Sequence, residues 1–434
     1  MIISAYVLPH PPLAIPKIGN GAEEKIPETL QAMREVATEI AKLKPDTIIY
    51  ITPHGNVYSD YFHVSPGTEA EGNFARFGAM HIKFRTNYDE ALSAEISNIA
   101  KNENFPAGTT GGEDSLLDHG MMVPMFYVNG KYPDCKTIRV SQSGLDVSAH
   151  FKMGELLTNA VNNLGIRAVV IASGDLSHKL GGANGFAPEG EIFDREIMKY
   201  LSECDFDAIL KMDKTLREKA AECGYCSFAI LAGCLSGANT SARQLSYECP
   251  FGVGYGVVSF TIEDSYRALA RYSLEFRVKT GKDLSFPPPD FNIPQEMLSK
   301  KAGAFVSLHK NGALRGCIGT IAPTTDCIAK EIIQNAVSSG LYDSRFPPVD
   351  KSELPFLTYK VDILDEPENI ESANDLDVKQ YGVIVQSGFK RGLLLPNLDG
   401  VDSVEAQISI SCQKAGILPH EDFSLQRFKV TRYE

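Results

Sequence analysis

Histidines are the residues of this sequence whose type and placement best suit chemistry. Neutral imidazole is the commonest metal ligand in proteins. In a parallel sheet the carboxyl ends of the strands share one edge, and ligands bind in the crevice there. Three histidines follow apolar runs that predict buried strands. They are His10, His54 and His178, which follow Ile2–Leu8, Thr47–Thr52 and Ala168–Ala172. Each of them alone would be interpreted as an ordinary turn or core residue, but together they predict a divalent-metal site.

The elements that must position these histidines alternate between strands and helices. Between Glu23 and Lys44 apolar residues recur every three or four positions, which predicts an amphipathic helix. A strand over Ile138–Ser141 and a helix over roughly Val147–Leu164 continue the alternation. We therefore expect an α/β N-terminal domain, with a largely parallel central sheet flanked by helices.

The pattern changes after Ile262. An Asn311-Gly312 pair between two strand-like runs predicts a hairpin. Further predicted elements are helices over Thr325–Ser338 and Ser403–Ala415 and strands near Phe356–Leu364 and Gln426–Arg432. This order is typical of an α+β domain, so the sequence predicts two domains, residues 1–263 and 264–434.

Composition excludes some classes of function. The net charge of −13 argues against a nucleic-acid binder, which needs a basic face to neutralise phosphates. No apolar run reaches the roughly 20 residues that span a bilayer, and the N-terminus lacks the features of a signal peptide. The nine cysteines are scattered, as is usual for reduced thiols. We expect a cytoplasmic protein.

Four ordered motifs in the first half resemble a known family. They are LPHPPL at Leu8–Leu13, TPHG at Thr52–Gly55, DHG at Asp118–Gly120 and SGDLSH at Ser173–His178. Over roughly residues 1–262 they resemble the LigB-type (class III) extradiol dioxygenase superfamily, which includes the Memo-like proteins.

This resemblance implies an Fe(II) site and roles for its neighbours. The ion would be held by His10, His54 and a carboxylate, with His119 on the substrate side. His178 would be the acid/base that takes a proton from a bound catechol-like substrate before dioxygen reacts. We expect Asp175, three residues before His178, to orient it or to stabilise its charged form.

The third metal ligand has two candidates in adjacent positions. Glu222 falls about where the family's glutamate lies, and it would complete the two-histidine, one-carboxylate set of Fe(II) oxygenases. Cys223 matches the cysteine of Memo-like members, and its thiolate would shift preference toward copper or zinc. The sequence analysis favours Glu222.

The second half resembles the AMMECR family over roughly residues 264–434, through LRGCIGT at Leu314–Thr320 and SRFPPV at Ser344–Val349. Arg315 and Cys317 alternate along a predicted strand, so they are expected to share one face. They would serve a small-molecule or peptide cleft. Alternatively, the glycines of the motif serve tight packing and Cys317 is a small buried apolar residue.

Two classes of function follow. The first is an Fe(II) extradiol-type dioxygenase that acts on a small aromatic substrate, with the AMMECR half as an accessory module. The second is a Memo-like metal-binding or scaffolding protein without ring-cleaving activity. The fusion resembles a microbial arrangement that accompanies a radical-SAM protein, which is therefore an expected partner. Metal-assisted hydrolysis is a further alternative.

Overall fold

The structure is a computed structural model that describes residues 1–111, 114–289, 291–398 and 400–434. The chain forms two compact units, Met1–Ile262 and Glu263–Glu434. No helix in these described ranges is long and apolar enough to cross a membrane.

The N-terminal unit is built on a six-stranded sheet with strand order β7-β2-β8-β1-β10-β9. The strands of the unit are β1 (Ile2–Leu8), β2 (Thr47–Thr52), β3 (Phe62–His63), β4 (Glu69–Phe74), β5 (Ala79–Asn87), β6 (Ala107–Gly108), β7 (Lys136–Ser141), β8 (Ala168–Ser173), β9 (Asn239–Glu248) and β10 (Tyr255–Glu263). β7, β2, β8 and β1 pair in parallel, and β10 lies antiparallel to β1. The predicted largely parallel sheet is confirmed.

Helices cover both faces of this sheet. They are α1 (Pro16–Gly19), α2 (Pro27–Leu43), α3 (Glu90–Asn102), α4 (His119–Asn129), α5 (Val147–Leu164), α6 (Pro188–Glu203), α7 (Phe206–Leu210), α8 (Lys214–Ala220) and α9 (Tyr225–Leu235). Alternate residues of β2 enter different cores. Ile49 and Ile51 pack in the core that includes α3, α5 and α9, and Ile48 and Tyr50 in the core that includes α2 and α4. Burial on both faces explains why these strands are continuously apolar.

The C-terminal unit has an α+β fold, as predicted. Its strands are β11 (Gly303–Lys310), β12 (Ala313–Gly319), β13 (Leu357–Leu364), β14 (Glu368–Ile370), β15 (Gly382–Ser387), β16 (Lys390–Leu394), β17 (Ser424–Phe428) and β18 (Val430–Tyr433). Its helices are α10 (Ser265–Thr280), α11 (Gln295–Ser299), α12 (Ile328–Leu341) and α13 (Val404–Ala415). They accompany two four-stranded antiparallel sheets, ordered β12-β11-β13-β18 and β14-β17-β15-β16.

The predicted hairpin is present, and one predicted strand is wrong. Asn311 and Gly312, with φ of 53° and 79°, join β11 to β12 as a two-residue turn with positive φ at both positions. The single strand predicted over residues 426–432 is instead two strands, because the chain leaves one sheet after Phe428. β17 pairs with β14 and β15, and β18 pairs with β13 in the other sheet.

Candidate functional site

His10 lies just beyond the carboxyl end of β1 and is buried. Its backbone N–H donates to Asp175 Oδ1 over 2.8 Å, and its Nδ1 lies 2.9 Å from Ser173 Oγ. The Ser173 hydroxyl donates its one proton to the carbonyl oxygen of Gly120 over 2.5 Å. Ser173 must therefore accept a proton from His10 Nδ1. This fixes the tautomer of His10 and leaves a lone pair on Nε2 for a ligand.

Two further histidines approach this lone pair. His54 Nε2 lies 3.0 Å from His10 Nε2, and the ring of His119 stacks on that of His54 with centroids 4.2 Å apart. His119 is the first residue of α4, whose start is capped by Asp118 through a 3.1 Å bond from Met121 N. Each of the three histidines offers one nitrogen, and the three lie within 4.8 Å of one another. The group is compatible with a bound metal ion.

The surroundings keep these imidazoles neutral. Burial lowers the pKa of His10 well below its usual value, and the neighbouring His54, His119 and His178 lower it further. Burial, followed by His54, lowers the pKa of His119 to about 4. The pKa of His54 is also lowered, chiefly by the protein around its ring. Unprotonated imidazole is the form that binds metals.

The structure differs from the sequence analysis at the third ligand. Cys223 Sγ lies 3.6 Å from His10 Nε2, whereas the Glu222 carboxylate turns to the start of α9 and accepts from Tyr225 N over 2.6 Å. Burial raises the pKa of Glu222 to about 7. The physical reason is local: α9 begins at Tyr225, so Glu222 is drawn into capping its free N–H groups. The preference for Glu222 over Cys223 is thus not supported by this geometry.

Two glycines allow Cys223 to approach His10. A Cβ on Gly174 would lie 2.2 Å from the Cα of Gly224, so the two backbones touch where larger residues would not fit. Gly224 N donates to the carbonyl oxygen of Asp175 over 3.1 Å, and Asp175 N donates to Cys223 Sγ over 3.3 Å. The segment after β8 therefore binds the segment before α9 directly.

His178 also lies near the histidine group, since its charge would oppose those of His10 and His54. Its Nε2 is buried and has no hydrogen-bond partner in the described ranges. Burial lowers its pKa from the usual value. An unpaired, neutral imidazole nitrogen beside a metal-compatible group is suited to proton transfer.

Asp175 has a different partner from the one we expected. Its carboxylate accepts from the backbone of His10, and no hydrogen bond joins it to His178 in the part of the chain that the structure describes. Burial raises the pKa of Asp175 to about 7. Asp175 therefore holds the His10 loop, and its predicted role in orienting His178 finds no contact to carry it.

A cavity of about 640 Å³ opens beside the histidines, large enough for a small molecule. His54 and His119 lie in its wall, together with Arg76 and Phe77 from the turn between β4 and β5. The Phe77 ring contacts the His119 ring edge to face, with centroids 5.4 Å apart. The cavity therefore offers a planar ligand both aromatic and charged neighbours.

Sequence reasoning missed the buried arginine that supports this wall. Arg139 on β7 is fully buried and forms ion pairs with Asp114 (2.6 Å) and Asp118 (3.2 Å). Asp118 Oδ1 also accepts from Thr52 Oγ1 over 2.7 Å, and Thr52 in turn receives the backbone N–H of His54. The usable signal was a charged residue inside an otherwise apolar strand, which must be paired when buried.

The predicted pair in the C-terminal unit does not share a face. The register of β12 against β11 shifts between Leu308 and His309, so Arg315 is an extra, bulged residue. Its guanidinium bonds Glu353 twice, over 3.0 and 2.9 Å, and the carbonyl oxygen of Pro347 over 2.9 Å. Cys317 lines a cavity that Arg315 does not line. The expectation that Arg315 and Cys317 act together in one cleft is therefore wrong.

Comparison with known proteins assigns both units. Residues 4–258 match the family described as the catalytic LigB subunit of aromatic ring-opening dioxygenase. The chain belongs to the LigB family. Residues 267–434 match the AMMECR1 family. The predicted fusion of LigB-like and AMMECR-like parts is confirmed.

Similar proteins include whole-length and partial relatives. Protein CA_C1420 of Clostridium acetobutylicum is 40% identical over 463 residues, covering 99% of this chain and 98% of that protein. A Thermotoga maritima protein is 46% identical over 174 residues, covering 40% of this chain and 98% of that protein. Two solved structures align. Uncharacterized protein PH0010 of Pyrococcus horikoshii is 34% identical with TM-score 0.36, covering 38% of this chain and 88% of that one. Uncharacterized protein JW3007 of Escherichia coli K12 is 15% identical with TM-score 0.40, covering 59% and 99%.

Proposed function

We propose that the N-terminal unit binds one divalent transition metal between His10 and His54, with Fe(II) as the expected ion and zinc or copper as alternatives. The observation that carries this proposal is the 3.0 Å separation of the two Nε2 atoms. Two imidazole nitrogens bound at about 2.1 Å to one ion lie about 3.0 to 3.4 Å apart for angles between octahedral and tetrahedral. The pair therefore fits a shared ion.

Cys223 fits as a third ligand by the same reasoning. A nitrogen at about 2.1 Å and a sulfur at about 2.3 Å from one tetrahedral ion are separated by about 3.6 Å. The distance from His10 Nε2 to Cys223 Sγ is 3.6 Å. His119 is the alternative third donor, because its nitrogen lies within the same 4.8 Å group.

We further propose that this centre performs chemistry of the ring-opening dioxygenase type on a catechol-like substrate. The bound metal would supply a site at which diol and dioxygen meet. His178 would hold the proton released from the diol, because its Nε2 is buried and unpaired among the described residues. The adjoining cavity, with Phe77 against His119, would orient the aromatic ring.

One observation favours a second candidate, a metal-binding protein without ring opening. Fe(II) oxygenases that cleave dioxygen commonly use two histidines and one carboxylate. In the described residues the histidine group contains no carboxylate, and the residue beside His10 is a thiol. A thiolate ligand would favour softer ions and a structural or redox role.

The two candidates are separated by turnover. Protein purified without oxygen is loaded with Fe(II), mixed with a panel of catechols in air, and followed by oxygen uptake and by product absorbance. The dioxygenase proposal predicts uptake that falls about 10² to 10⁴-fold in His178→Gln while the iron content is unchanged, since His178 acts on protons and not on the ion.

The other outcomes are equally informative. Iron bound at one per chain with no oxygen uptake on any catechol contradicts ring opening and supports the second candidate. A protein that binds no divalent metal contradicts both.

A further inference from the structure

The C-terminal unit contains a cavity of about 540 Å³ that the proposed metal chemistry does not use. Its floor is one face of the β12-β11-β13-β18 sheet. Phe305, Ser307 and His309 line the cavity, whereas the alternating Ala304, Val306 and Leu308 are buried in the apolar core on the other face. The volume lies within the range of about 300 to 1,000 Å³ for small-molecule sites.

Apolar side chains form another part of the wall. They are Phe305, Leu314, Leu393, Leu394, Leu395 and Leu398. Leu314 reaches this wall because the bulge in β12 places it opposite His309. A sheet face that borders water would ordinarily be polar. The leucines therefore offer an apolar surface for the body of a ligand.

The charged side chains of the wall are mostly cationic. Four cations stand against two carboxylates, although the whole chain carries a net charge of −13. The cations are Arg345, Lys360, Lys414 and Arg432, and the carboxylates are Asp362 and Glu434. Lys360 pairs with Glu434 over 2.6 Å, and Arg432 with Asp362 over 2.7 Å. These two pairs neutralise each other, so Arg345 and Lys414 carry the excess charge.

Lys414 is the cation best placed to meet a ligand. It is exposed, and within the described ranges no ion pair joins it to a carboxylate. Arg345 pairs with Asp343 over 2.7 Å, and its charge also acts on the Cys317 thiol. His309 adds a buried Nδ1 that lacks a hydrogen-bond partner among the described residues. Buried polar atoms are normally paired, so this atom has an unmet bond to offer.

We propose that this cavity binds a small organic anion, a carboxylate or a phosphate monoester with an apolar body of a few carbons. The anionic group would lie toward Lys414 and Arg345, and the apolar body would lie against the leucines. Cys317 is in the wall, where it accepts a hydrogen bond from Ser307 Oγ over 3.2 Å. An occupied cavity would therefore cover the Cys317 sulfur. The site is independent of the metal centre.

The position of Cys317 supplies the assay. Iodoacetamide alkylates a thiolate by forming a carbon–sulfur bond as iodide leaves, and peptide mass spectrometry follows Cys317 separately from the other cysteines. Exposed Cys249 of the N-terminal unit is the internal control. Hexanoate, hexyl phosphate and neutral 1-hexanol are the probes, each tested on the full chain.

We expect one of the anions to slow alkylation of Cys317 by roughly fivefold or more near saturation, because only the free fraction reacts. Hexanol should slow it less than about twofold, and Cys249 should be unaffected. Lys414→Glu should raise the apparent Kd of the anion about tenfold, the usual worth of one charged hydrogen bond. The matched Lys351→Glu, at an exposed lysine outside the cavity, should leave it unchanged.

The comparison of hexanoate with hexyl phosphate identifies the anionic group. Three results would each overturn the proposal: no protection by either anion, equal protection by hexanol, or equal loss of binding in Lys351→Glu and Lys414→Glu. Since Lys414 is exposed, its replacement leaves the fold intact and the result interpretable.

Discussion

The tautomer of His10 is the single-residue feature on which metal binding depends most. Its Nε2 faces His54 with a free lone pair because Ser173 accepts the proton on Nδ1 and passes its own to Gly120. Hydrogen bonds of this kind orient metal-binding histidines and raise their basicity.

Removing the Ser173 hydroxyl should therefore weaken the site without removing a ligand. We expect Ser173→Ala to raise the Kd for the metal about 10 to 100-fold, measured by competition with a chelator. Exposed Ser148→Ala, distant from the histidines in sequence and bonded only to Asp146, is the control. An unchanged Kd in Ser173→Ala would show that Ser173 does not set the tautomer.

Cys223 and Glu222 give a second test at the same scale. Cys223→Ser should raise the Kd for a soft divalent ion more than about 100-fold, since replacing a ligand costs more than disturbing a neighbour of one. Glu222→Gln keeps an oxygen to accept from Tyr225 N and should change the Kd less than about threefold. The reverse order would restore Glu222 as the ligand.

The sequence predicted part of this site and could not have predicted the rest. Strand ends that meet at one sheet edge brought His10, His54 and His178 together on topology alone. Adjacent residues such as Glu222 and Cys223 differ only in the direction of their side chains. That direction depends on where α9 begins, and the sequence pattern does not fix helix starts to one residue.

At the scale of elements, the contact between Gly174 and Gly224 holds the start of α9 against the end of β8. Gly174→Ala would place a Cβ 2.2 Å from the Cα of Gly224, so one backbone must move. We expect a loss of about 1 to 3 kcal/mol of stability by denaturant titration, together with weaker metal binding. Gly130→Ala, whose added Cβ meets no atom closer than 3.3 Å, should change neither.

The bulge in β12 is the second element whose consequence can be measured. It presents Arg315 to Glu353, and hydrogen bonds from Arg315 and Lys310 lower the pKa of Glu353 from 4.5 to about 2. The carboxylate thus stabilises the folded state fully above about pH 4.5, and this contribution is lost as the pH falls toward 2.

Glu353→Gln should therefore lower stability by about 1 to 3 kcal/mol near neutral pH, and the difference from wild type should shrink as the pH approaches 2. Thermal unfolding of the full chain across this range tests it, with the exposed Glu366→Gln as control. A difference that is constant with pH would contradict the ion pair. Simple strand alternation could not reveal this bulge, because a bulge breaks that alternation locally.

At the scale of the whole molecule, one chain carries a LigB unit and an AMMECR1 unit, and a relative that is 40% identical aligns along nearly the whole of both chains. Each unit has its own cavity with its own chemistry. The first has neutral imidazoles suited to a cation, and the second has an excess of cationic side chains suited to an anion.

The most direct test of the central claim is the metal content of the full chain. The protein is purified without oxygen, equilibrated with Fe(II), passed through a desalting column and analysed by atomic emission. We predict about one iron per chain in the wild type and in His81→Ala, which removes an exposed histidine outside the group. His10→Ala and His54→Ala should retain less than about a tenth of that amount. Equal iron in all four proteins would contradict a metal site at His10 and His54.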